Sequence, residues 1–110
     1  MVFVSVEDFF KQVSQIPSLS REEEKALGEE KAAGNKDARD ALVQHYLPHV
    51  VAVVKRVPKE ICTLKTVYAC IAALEKGVDG FNFLQDSETF SHHLSWRLRQ
   101  CITQCITDRY

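Results

Sequence analysis

What most restricts this chain is how little interrupts it: only four glycines and three prolines fall in 110 residues. Between these breaks apolar residues recur every three or four positions, and no alternating apolar and polar run of strand length occurs. The fold class that follows is all-α, a compact bundle of about five helices. Ser5 is placed to cap a first helix over about Val6–Gln15, with Val6, Phe9, Phe10, Val13 and Ile16 on one face and Pro17 ending it. Ser20-Arg21-Glu22-Glu23 is a capping box, and it starts a second helix that runs to Ala33 and stops at Gly34. Asn35 caps a third, to about Arg56, carrying Ala38, Leu42, Tyr46, Val50 and Val54 at helical spacing. Pro48 inside it predicts a kink or a break, because proline removes a backbone donor and crowds the preceding turn. A fourth helix is predicted over roughly Glu60–Lys76, with Ile61, Leu64, Val67, Ile71 and Leu74 apolar and Gly77 and Gly80 marking its end. Residues 81–89 read as a connecting loop, and a last helix spans Ser91 to about Arg109.

The length suits one domain, 1–110, with one core. Fourteen basic and fifteen acidic side chains leave a formal charge of −1, which excludes a chain that coats nucleic acid or an anionic membrane by charge alone. The charge is uneven: residues 1–40 hold six basic and nine acidic groups (−3), residues 41–110 eight and six (+2). No apolar run approaches the roughly 20 residues that span a bilayer. The opening Met1-Val2-Phe3-Val4-Ser5-Val6 has no basic leader and runs into Glu7-Asp8, so a cytoplasmic protein without a membrane partner is expected. Cys62, Cys70, Cys101 and Cys105 then read as reduced thiols.

His45 and His49, like Cys101 and Cys105, have the one-turn spacing that can present two ligands to zinc. The two cysteines lie on an apolar face, where a free thiol packs as a small hydrophobe, so no metal site and no cofactor are expected. No nucleophile–base pairing, phosphate-cradling glycine loop or hydrolase motif occurs, and the chain does not read as an enzyme.

The last helix divides cleanly. At about 100° per residue, Leu94, Leu98, Cys101, Ile102 and Cys105 share one face, while His92, Trp96, Arg99, Gln100, Thr103 and Thr107 share the other. A tryptophan among arginine, amide and hydroxyl groups on a wet face suits nucleic acid. Gln pairs with the adenine major-groove edge, Thr offers a hydroxyl and a methyl, Arg takes phosphate or guanine, and Trp stacks on an unpaired base.

Several stretches resemble one family. Asp8-Phe9-Phe10 through Ile16-Pro17-Ser18-Leu19-Ser20-Arg21-Glu22-Glu23-Glu24, then Ala33-Gly34-Asn35, Ala38-Arg39, Leu42-Val43 and Leu47-Pro48-His49-Val50-Val51, follow the order found in sigma-70 family RNA polymerase sigma factors. Phe90-Ser91-His92-His93-Leu94-Ser95-Trp96-Arg97-Leu98-Arg99-Gln100-Cys101-Ile102-Thr103 is similar to that family's Phe-Ser-Thr-Tyr-Ala-Thr-Trp-Trp-Ile-Arg-Gln-Ala-Ile-Thr. The resemblance implies two leading helices in 1–34 and, in 35–110, a region-two-like core with its recognition helix. It further implies docking on the clamp of core RNA polymerase, and reading and melting of the minus-ten element of promoter DNA. The implied DNA-binding residues are His93, Trp96, Arg97, Arg99, Gln100 and Thr103. Gln100 and Thr103 match the duplex-reading positions, Trp96 the first of two tryptophans at the strand junction, and Arg99 the arginine beside them.

Three departures bear on function. Arg97 stands where the family has its second tryptophan, and His93 where a tyrosine stacks on a flipped adenine. Thr63-Leu64-Lys65-Thr66-Val67-Tyr68-Ala69-Cys70-Ile71-Ala72 replaces the Asp-Leu-Ile-Gln-Glu-Gly signature that grips the clamp. The expectation is a bacterial transcription-initiation factor domain, acting as a minimal sigma or as one half of a split sigma with a partner sigma subunit. The alternative is a sigma mimic that has lost DNA reading and binds a regulatory protein such as an anti-sigma factor.

Overall fold

The longest apolar stripe in the chain sits at its centre. In the computed structural model, which describes residues 3–85 and 87–109, helix α3 (Lys36–Val54) packs against α1 (Val6–Val13), α2 (Arg21–Ala32), α4 (Leu64–Gly80) and α5 (Phe90–Arg109). Met1, Val2, Asp86 and Tyr110 lie outside the described residues, and with them the part of the leader reading that concerns Met1 and Val2. A short 3-10 turn, Lys59–Ile61, links α3 to α4, and the described residues form no strand. All five predicted stripe residues of α3 are buried, together with Val43 and Leu47. Around them close Phe9 and Val13 of α1, Val67, Cys70, Leu74 and Val78 of α4, and Leu94 and Leu98 of α5.

The predicted caps form. Ser5 accepts from the Asp8 N–H at 3.0 Å, and Ser20 and Glu23 make both halves of the capping box. Asn35 Oδ1 accepts from the N–H groups of Asp37 and Ala38. Each cap satisfies donors that the first helical turn leaves unpaired. Gly34, at φ 94°, turns α2 into α3 within three residues, a backbone conformation open to glycine and costly for other residues. Arg39, one turn into α3, reaches across to α4, with its Nε and Nη2 on the two Asp79 oxygens at 2.8 and 3.0 Å. That guanidinium holds the Asp79 carboxyl below the usual carboxylate range.

Two expectations at α4 are corrected, and of the two outcomes expected at Pro48 one does not occur. Pro48 does not break α3, which runs unbroken through it. The carbonyl left without a donor belongs to Gln44, an exposed position open to water, while buried Leu47 and Val50 on either side of the proline hold the helix to the core. The fourth helix begins at Leu64 and not near Glu60, because the Thr63 hydroxyl accepts from the Thr66 N–H and sets the start there. It also runs past Gly77 to Gly80, and Gly77 is buried inside it.

The thinly apolar α2 is seated by close approach. Gly28 is its one buried residue, and a Cβ at that position would lie 2.4 Å from the Phe83 Cβ. Lys31 adds a hydrogen bond from Nζ to the Phe81 carbonyl at 3.2 Å. Gly28→Ala is expected to destabilise the fold by about 1–3 kcal/mol, the usual cost of overpacking. A lowered denaturation midpoint in urea would register it; an unchanged midpoint would mean that α2 is seated some other way.

Candidate nucleic-acid interface

Helix α5 is 20 residues long, so its axis covers about 30 Å. Thr89 begins it by accepting from the His92 N–H at 3.2 Å. One side is fixed by burial: Phe90, Leu94 and Leu98 are enclosed, and Cys101, Ile102 and Cys105 continue the row half-buried. Because burial fixes the rotation of the helix, it also fixes what faces away. Trp96 is 53% exposed, and His92, Arg99, Gln100, Thr103 and Thr107 are exposed with it. The division expected from the helical wheel holds.

Along this stripe the hydroxyls are partly committed. Thr103 donates to the Arg99 carbonyl at 3.0 Å and Thr107 to the Thr103 carbonyl at 3.0 Å. Their oxygens retain acceptor capacity, and the threonine methyls stay available for apolar contact. The Gln100 amide lies one turn from Trp96 on the same side, so a stacking surface and a bidentate donor–acceptor pair stand together. Beside them runs a groove of about 430 Å³ between the end of α3 and α5, with Val53, Val57, Ile102 and Ile106 among its apolar walls and Arg56 and Arg99 at its edges.

His93 and Arg97 are placed differently from the other four candidates. Both are half-buried at the border between the stripe and α4. The His93 ring packs on Phe81 at 5.1 Å and on Phe90 at 6.2 Å. Its Nε2 accepts from Arg97 Nε at 3.0 Å, and its Nδ1 faces a Glu88 carboxylate oxygen at 3.9 Å. The aliphatic stem of Arg97 crosses Gly77, where a Cβ would sit 3.3 Å from Arg97 Cδ. The role of Gly77 went unread in the sequence, where a glycine at the end of an apolar pattern looks like a helix stop. The one available signal was its place within the continuing run Leu74, Gly77, Val78.

The aromatic group beneath this border was also missed. Phe90 meets Tyr46 edge-on at 4.7 Å, Phe83 at 4.9 Å and Phe81 at 5.2 Å. Tyr46 in turn donates its hydroxyl to Glu24, whose carboxyl burial pushes up from its ordinary range. Helix α5 is thus anchored at its first turn to α3 and, through Tyr46, to α2.

The histidine and cysteine pairs do not converge. Among the described residues no group of three or more His, Cys, Asp or Glu side chains is arranged to hold a metal ion. His45 Nδ1 lies 2.9 Å from the Pro17 carbonyl oxygen, and burial pushes the Cys70 and Cys101 thiols up, away from the thiolate form that metals and electrophiles require. A groove of about 550 Å³ between the start of α4 and the end of α5 is lined by Cys101 and Cys105 and lies off the stripe. Among the described residues no helix is long and apolar enough to cross a membrane.

No family model matches the chain. Among curated proteins it is similar to the RNA polymerase sigma factor SigA of Clostridium acetobutylicum, 32% identical over 102 residues, covering 92% of this chain and 27% of that protein. The SigA factors of Listeria monocytogenes and Listeria innocua are each 30% identical over 102 residues, again covering 92% of this chain and 27% of theirs. The chain therefore spans about a quarter of the length of the curated relatives it matches.

Proposed function

Because this chain is a portion of the sigma-70 family, we propose that it acts in transcription initiation, docking on core RNA polymerase and reading minus-ten promoter DNA with the exposed side of α5. The observation that carries this reading is the stripe of Trp96, Gln100, Thr103 and Arg99, left open by the burial of Leu94 and Leu98. Trp96 stacks on an unpaired base at the strand junction, Gln100 and Thr103 read the adjoining duplex edge, and Arg99 contacts a phosphate or guanine. Restrained salt dependence accompanies the near-neutral charge of the chain. The role is that of a binding factor in the cytoplasm, without chemistry of its own.

Trp96 is the only tryptophan, so its fluorescence reports directly on the stripe. A sequence-dependent response to minus-ten oligonucleotides at low salt is expected. Gln100→Ala should erase about 1–3 kcal/mol of discrimination at one upstream base pair while leaving stability unchanged. No response to any oligonucleotide would end the DNA-reading proposal.

A second reading has its own support. Within Thr63–Ala72, which stands in place of the family's clamp-gripping signature, the exposed positions are Thr63, Lys65, Tyr68 and Ala72, with no acid or glutamine among them, and the Tyr68 hydroxyl accepts from the Phe3 N–H at 3.0 Å. On this reading the chain is a sigma mimic that binds a regulator such as an anti-sigma factor. Retention of purified core polymerase on the immobilised chain favours the first reading; retention of an anti-sigma factor without polymerase favours the second.

A further inference from the structure

We infer that Arg97 is a pre-set phosphate clamp at the border of the α5 stripe, and that His93 is its positioning residue and not a base-stacking platform. The inference rests on the DNA-reading proposal and adds to it a contact with the sugar–phosphate backbone of the strand stacked on Trp96.

The geometry runs from the backbone outward. Gly77 removes the side chain that would otherwise block the Arg97 stem, with Cδ 3.3 Å from the place a Cβ would take. From that seat Nε donates to His93 Nε2 at 3.0 Å. An arginine Nε–H can only donate, so His93 Nε2 is the acceptor and the imidazole proton sits on Nδ1, toward Glu88. The His93 ring cannot swing onto a base without leaving Phe81, against which it packs at 5.1 Å. Stem and Nε being fixed, the plane of the guanidinium is fixed, and its two Nη groups remain for a partner.

Arg39 gives the contrast within the same molecule. Its guanidinium is taken up by Asp79, Asp40 and Glu75, each within 3.5 Å. Among the described residues no carboxylate lies within 4.0 Å of the Arg97 guanidinium. A guanidinium fork held in plane and left without an acid suits two oxygens of one phosphate, and holding it in advance reduces the freedom lost on binding. Position names the phosphate's source: Arg97 follows Trp96 in sequence and lies one turn before Gln100, at the edge of the stripe that carries both, so the anion assigned to it belongs to the strand whose base stacks on the indole.

The test uses the 110-residue chain, Trp96 fluorescence and a single-stranded minus-ten oligonucleotide titrated over a range of salt. Arg97→Met keeps the aliphatic stem on Gly77 and removes the charge. It is expected to weaken low-salt binding about three- to tenfold and to reduce the salt slope by about 0.7. Arg97→Lys should restore the slope but not the full affinity, since it keeps the charge and loses the fork. His93→Ala should weaken binding with the slope unchanged, and His93→Gln, which offers an amide oxygen, should recover part of the loss. A merely structural latch would lower the melting temperature in Arg97→Met and leave the slope alone. A wild-type slope in Arg97→Met, with the Trp96 response intact, overturns the clamp and spares the DNA-reading proposal. Loss of the response in the wild-type chain itself removes both.

Discussion

Replacing Phe90 with alanine is expected to cost about 3–5 kcal/mol, the usual range for deleting a buried phenylalanine. The ring is 1% exposed and touches aromatic partners from three directions: Tyr46 of α3, and Phe81 and Phe83 of the α4–α5 loop. Removing it takes away buried area and three aromatic contacts together, and His93, 6.2 Å away, cannot fill the space while it holds Arg97. Against a typical reserve of about 5–15 kcal/mol for a small domain, that is a large fraction. Urea unfolding followed by helical circular dichroism measures it, and a loss below about 1.5 kcal/mol would mean that the cluster repacks around the gap. Phe90→Leu, which retains much of the volume, should recover a good part of the loss.

Trp96→Ala should do the reverse, leaving the fold intact and removing binding. With the indole 53% exposed, truncation creates no cavity, and the unfolding midpoint should stay within about 0.5 kcal/mol of wild type. A stacked base contributes about 1–3 kcal/mol to single-strand affinity, which corresponds to roughly five- to 150-fold weaker binding. Since the variant has no tryptophan, anisotropy of a labelled oligonucleotide is the readout. Trp96→Phe should keep part of the affinity through the remaining ring. Unchanged affinity in the alanine variant would place the strand elsewhere on the molecule. Phe90 and Trp96 lie six residues apart on one helix, and their opposite expected outcomes separate what holds α5 from what α5 offers.

Much of the fold was legible because local chemistry and burial agree along most of the chain. Ser5, Ser20 and Asn35 are capping residues in front of apolar repeats, and each caps the helix it precedes. The two sides of α5 could be assigned from spacing alone, since a helix with one apolar row has only one way to turn on a core. The continuity of α3 through Pro48, the place of Gly77 and the start of α4 are not legible locally, for related reasons. Each is a local signal overruled by something distant in sequence: buried neighbours that carry α3 through the proline, the Arg97 stem that makes Gly77 a seat, and a 3-10 turn that imitates a helical first turn. The orientation of His93 and Arg97 is likewise set by residues distant in sequence. Their residue types suit a nucleic-acid face, yet their orientation follows from Phe81 and Gly77, which spacing along α5 does not encode.

The left-handed corner at Gly34 also bears on how the molecule assembles. With three residues between α2 and α3, the two helices are neighbours along the chain as well as in space, and closing so short a connection costs little chain entropy. The Tyr46–Phe90 contact joins residues 44 positions apart and can form only after a much longer stretch has come together. Refolding is therefore expected to begin from the hairpin of α2 and α3, and the arm proposed to read the promoter to be among the last parts to settle.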